Sequence, residues 1–117
     1  MIEYYRVVSG TTGIYEAVDR DCPYDDPRRA AKPDGSWLPK IGPQFGGAIS
    51  FWTKAGLSKY VSSGLLQWHA SVVRRSPTVL RAIVNGPVLY SDFYQVICYP
   101  ASVHIVSEED WTGFLSK

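Results

Sequence analysis

Apolar and β-branched residues cluster in short runs separated by polar turns, and the first run, Ile2 to Val8, ends at Ser9-Gly10 and predicts a strand. Gly13 to Val18 is short and helix-compatible, with the Thr11-Thr12 hydroxyls as candidate caps. Ala48 to Trp52 predicts a second strand. Thr53 then caps a helix over Lys54 to Ser62, where Leu57, Tyr60 and Val61 share one face, and Gly64 ends it. Leu65 to Val73 fits strand or helix equally. Thr78 to Val84 predicts a strand, turned by Asn85-Gly86-Pro87 into a long β-rich stretch from Val88 to Tyr99. Ala101 to Val106 reads as a further strand, and Ser107 opens a terminal helix whose acidic first turn, Glu108-Glu109-Asp110, suits the helix dipole.

Between these elements the segment 19–47 carries five of the eight prolines and ten of the 23 charged residues, with no periodicity. Loops of that length in a small domain are usually functional or mobile. It reads as a long surface excursion whose second half is pinned by Trp37, Leu38, Ile41 and Phe45. The expected fold class is α+β: mostly strands with two or three short helices, lacking the strand-helix alternation of a parallel sheet.

At 117 residues and 45% apolar content the chain is expected to form one domain, 1–117, with a real core. A net charge of +1 with scattered Lys and Arg makes a nucleic-acid partner and a membrane surface poor expectations. No apolar run reaches spanning length and the first residues lack a secretory pattern, so the expected location is the cytoplasm. The two cysteines, Cys22 and Cys98, are too few for a disulfide framework and are expected to be reduced.

Familiar catalytic signatures are missing: there is no phosphate-cradling glycine loop, no nucleophile elbow, and no metal-binding His or Cys spacing, so no metal is expected. His69 and His104 are isolated in apolar surroundings. What remains is a set of three stretches. Tyr4 to Val8 offers Arg6 on a strand, Ile49 to Tyr60 offers Ser50 and Thr53 with Tyr60 downstream, and Leu89 to Tyr94 offers Asp92. A carboxylate inside an aromatic strand is costly to bury unless paired or functional. An arginine fork, hydroxyls, an aromatic ring and a carboxylate are the polar set needed to hold a dinucleotide and break a glycosidic bond.

In this order the stretches resemble the ADP-ribosyltransferase superfamily, which transfers ADP-ribose from NAD on a split β-sheet core. Tyr5-Arg6-Val7 followed by Gly13-Ile14-Tyr15 looks like its first motif, an Arg or His that holds NAD. Ile49 to Tyr60 is similar to the second, a strand with hydroxyl residues leading to a helix with a tyrosine. Leu89-Tyr90-Ser91-Asp92-Phe93-Tyr94-Gln95-Val96 looks like the third, which carries the catalytic carboxylate, glutamate in most of the family and Asp92 here. The resemblance covers about a third of the chain.

It implies NAD as substrate, bound by Arg6, Ser50, Thr53 and Tyr60, with Asp92 stabilising the oxocarbenium and segment 19–47 closing over the cofactor or gripping the acceptor. It also implies a protein acceptor, and a phage or bacterial setting as a modifier of host proteins, an anti-CRISPR inhibitor or a toxin. NAD hydrolysis with water as acceptor is one alternative. The other is a non-catalytic protein-binding inhibitor, indifferent to Asp92 and dependent on Trp37 or Arg28.

Overall fold

A computed structural model describes residues 2–38 and 46–115. Among these residues seven strands, β1 (Glu3–Ser9), β2 (Thr12–Gly13), β3 (Ile49–Trp52), β4 (Pro77–Val84), β5 (Val88–Ser91), β6 (Gln95–Cys98) and β7 (Val103–Asp110), form one sheet. Its order is β5-β6-β3-β1-β4-β7, with β2 folded back on β1 across Gly10, whose φ of 64° suits glycine. Every pairing is antiparallel. The α+β class is therefore as expected.

Among the described residues three α-helices, α1 (Ile14–Asp21), α2 (Lys54–Ser62) and α3 (Leu65–Val72), cover one face of the sheet. Alternation along each strand explains this layering: Val7, Trp52 and Val79 point into the helix side with Leu57, Tyr60, Leu65 and Leu66, whereas Phe51, Ala82, Val96 and Cys98 form a smaller cluster on the other side. Cys22 and Cys98 are both buried as free thiols, in different clusters. Thr53 caps α2 as its sequence predicts, accepting from Gly56 N at 3.0 Å. Gly64, at φ 82°, turns the chain from α2 into α3, so the stretch that fits strand or helix is helix over Leu65 to Val72, with Val73 extended after it.

The pairing of β1 is unequal on its two sides. It matches β4 at seven positions but β3 only at Tyr5↔Trp52. The sheet therefore splays between β1 and β3, and a gap opens beside Arg6.

Three expectations are corrected. The acidic run Glu108-Glu109-Asp110 lies in β7, not a helix: it pairs with Leu80, Val79 and Thr78, and Arg81 bridges Glu109 at 2.9 Å and Glu3 at 3.1 Å. Arg81 compensates Glu109, and Asp110 instead accepts from Thr112 N at 3.1 Å to cap the 3₁₀ turn that follows. The long stretch Val88 to Tyr99 is two strands broken at Asp92 to Tyr94. Neither Thr11 nor Thr12 caps α1; Gly13 precedes it without a side-chain bond, and Thr12 Oγ1 accepts from Arg20 at 3.3 Å.

Segment 19–47 is partly structured. It begins inside α1 and includes a 3₁₀ turn at Pro27–Ala31, capped by Asp26. Arg29 donates to Cys22 O and stacks over Tyr24 at 4.4 Å, and Arg28 O accepts from the Trp68 indole at 3.1 Å. Trp37 packs against Trp52 and Tyr94, with ring centroids 5.7 and 5.1 Å apart, so the expected pin is present there. Ile41 and Phe45 lie outside the described residues.

Candidate functional site

Where β1 and β3 part, a cleft of about 230 Å³ opens between the strand pair and the start of α1. Arg6 projects into it. Its guanidinium donates to Ser50 O across the gap at 3.1 Å, joining the two halves of the sheet. It also rests on Gly13, where a Cβ would come within 2.6 Å of Nη2, so the glycine makes room for the cation. Burial lowers the Arg6 pKa, partly offset by Glu16, a carboxylate on the same cleft. A guanidinium short of water attracts an anion more strongly than a solvated one.

The remaining lining mixes aromatic and polar residues with aliphatic ones such as Ile14, Leu38 and Ile49. Tyr15 stands at the rim, 42% exposed, and Trp52 forms the inner wall. Gln95, the first residue of β6, sits opposite Trp52 in register and reaches the same cleft while only 5% exposed. Ser50 lines it through the strand that receives Arg6.

No protein-family model, curated protein or solved structure matches the chain.

Of the five residues singled out from sequence, Arg6 and Ser50 come together in the cleft. Thr53 does not line it. Its hydroxyl both caps α2 and donates to Phe93 O at 2.7 Å, while its backbone N–H donates to Tyr94 O at 3.0 Å. Tyr60 is fully buried, stacked on Trp52 at 4.9 Å and hydrogen-bonded through its hydroxyl to His69 Nδ1. It supports the wall from behind and has no open face for a ligand ring. Tyr15 is the cleft ring open to solvent, whereas Trp52 is buried between Tyr60 and Trp37.

Asp92 also lies off the cleft lining. One oxygen accepts from Tyr94 N at 2.8 Å and Gln95 N at 2.9 Å, and the other accepts from the Tyr90 hydroxyl at 2.8 Å. Partial burial pushes the carboxyl up, but these bonds, joined by one from the Gln95 side chain, outweigh it and keep Asp92 below the usual carboxylate range. Asp92 thus organises the β5–β6 turn, and Thr53 ties that turn to α2. Gly56 completes the junction: a Cβ there would fall 1.9 Å from Tyr94 O, so only glycine lets the helix approach.

Sequence reasoning missed Tyr15, Glu16, Trp52 and Gln95. The available signal for Gln95 was the Asp-x-x-Gln spacing, since an aspartate accepting from backbone N–H groups two and three residues on is turn chemistry. Arg28, named for an interface, is held by Asp26 at 2.9 Å. Among the described residues no group of three or more His, Cys, Asp or Glu is arranged to hold a metal ion, and no helix is long and apolar enough to cross a membrane.

Proposed function

We propose that the cleft is an NAD site and that the chain is an NAD-dependent ADP-ribosyltransferase acting on a macromolecular target, most simply a protein. The observation that carries this reading is Arg6, partly desolvated and seated in the gap of a splayed sheet with aromatic and amide groups around it. Further support comes from adjacency. The three stretches that resemble the superfamily fall on β1, on β3 with α2, and on the β5–β6 hairpin, and β1, β3 and β6 are neighbours in the sheet.

In this reading Arg6 holds the pyrophosphate or ribose of NAD through its fork of donors. Tyr15 offers a ring face for the nicotinamide, and Gln95 a hydrogen-bonding group for the ribose. The C1′–N bond breaks and nicotinamide leaves with the electron pair. An acceptor nucleophile then bonds to C1′ and gives up its proton. Positive charge develops on the ribose in between, so an anion nearby lowers the barrier. Glu16 is the carboxylate that lines the cleft among the described residues.

A second reading, binding without turnover, is favoured by one observation: both oxygens of Asp92 are engaged in the hairpin turn. One experiment separates the readings. Purified protein is incubated with labelled NAD, alone and with lysate, beside Arg6→Ala. Label transferred to a lysate protein by wild type only supports transfer, and nicotinamide release without label supports hydrolysis. NAD bound but unconsumed supports the binder, and NAD neither bound nor consumed removes the dinucleotide reading.

A further inference from the structure

We propose that Asp92 and Gln95 form an inverted acid–amide pair, with the carboxylate behind the cleft wall and the amide facing in, so that the site holds NAD but cleaves it slowly. The inference rests on the NAD reading above and specifies what limits its chemistry.

The two residues are locked to each other. Asp92 N donates to Gln95 O at 2.9 Å, Gln95 N donates to Asp92 Oδ1 at 2.9 Å, and the Gln95 side-chain amide also bonds the Asp92 carboxylate. An ionised carboxylate only accepts, so the amide nitrogen is turned to Asp92. Thr53 anchors the intervening residues Phe93 and Tyr94 to the start of α2. The register Trp52↔Gln95 then sets the two side chains next to each other on one face of the sheet, with the amide beside the Trp52 ring. Within the Leu89 to Val96 stretch, Gln95 is the residue that lines the cleft beside Arg6.

The chemical consequence follows from charge. An amide oxygen accepts a hydrogen bond from a ribose hydroxyl about as well in the ground state as when the ribose becomes cationic. A carboxylate in that position gains attraction as the positive charge grows, which is what accelerates bond breaking. Gln95 therefore contributes to binding more than to turnover. Asp92 acts as a positioning residue that orients the amide. Its charge is already shared among hydrogen-bond donors of the turn and sits outside the cleft.

The test exchanges the two groups. Asp92→Asn together with Gln95→Glu keeps one carboxylate and one amide, and an asparagine can still accept from the backbone N–H groups of the turn. Nicotinamide release by the double variant is expected to rise about 10-fold or more over wild type, with the NAD dissociation constant changed by less than about threefold. Gln95→Glu alone sets two carboxylates side by side, which raises the pKa of the pair. Its rate increase should therefore appear at higher pH than that of the double variant, a shift that a purely structural role does not produce.

Should the double variant fail to fold, the pH profile of the single variant decides. Unchanged or slower cleavage at every pH by variants that still bind NAD overturns the inference and leaves the NAD reading standing. Failure of wild type to bind NAD overturns both.

Discussion

At the scale of single residues, the buried Tyr60–His69 pair has the clearest measurable consequence. Burial, reinforced by Lys32 and Arg29, lowers the His69 pKa from 6.5 to about 3. Between those values the unfolded chain binds a proton that the folded one refuses, so stability rises with pH across the window. It is complete above about 6.5 and is lost as pH falls towards 3, with a slope approaching about 1.4 kcal/mol per pH unit. Urea unfolding at a series of pH values checks this, with His69→Asn as the non-titrating control. An identical slope in the control would assign the effect elsewhere. Gly56 makes the second residue-scale prediction: with Tyr94 O 1.9 Å from any added Cβ, Gly56→Ala must push α2 off the hairpin. A loss of about 3 kcal/mol is expected in the same unfolding assay.

At the scale of elements, the β5–β6 hairpin is defined by one side chain. Asp92→Ala removes the acceptor for Tyr94 N, Gln95 N and the Tyr90 hydroxyl, and should cost about 2 kcal/mol, whereas Asp92→Asn keeps the backbone acceptor and should cost under about 1 kcal/mol. Thermal melts of the two variants decide it, and equal losses would contradict the turn role. This hairpin also shows where sequence reading stops. The strands around Arg6 and Ser50 were legible because β-branched runs end at glycine or at a helix cap, signals that act locally. The break at Asp92-Phe93-Tyr94 contains neither glycine nor proline, so a continuous β-rich stretch hid the turn and left Gln95 unassigned. Tyr60 was legible as a helix-face residue, but whether that face meets ligand or core depends on Trp52 from a different element. The strand identity of 107–110 depends on pairing with Thr78 to Arg81 of β4, a stretch distant in sequence, and on Arg81 bridging Glu109.

At the scale of the whole molecule, the sheet is two halves, β5-β6-β3 and β1-β4-β7, that meet directly at Tyr5↔Trp52 and through the Arg6–Ser50 bond. A ligand seated in the gap touches both halves at once, and one that binds only the folded state stabilises it by mass action. At a free concentration a hundred times its dissociation constant, NAD is expected to add about 2.7 kcal/mol, which for a domain of this size raises Tm by roughly 10 °C. Arg6→Ala should melt close to the unliganded wild type and show little response to NAD. The local counterpart is slower hydrogen exchange in β1 and β3 next to the cleft on adding NAD, with the β4–β7 pairing unchanged, because the ligand restrains the gap rather than the sheet edge. If Arg6→Ala gained the full increase, the dinucleotide would be binding without the cation that spans the gap. The cleft between the halves would then not be its site.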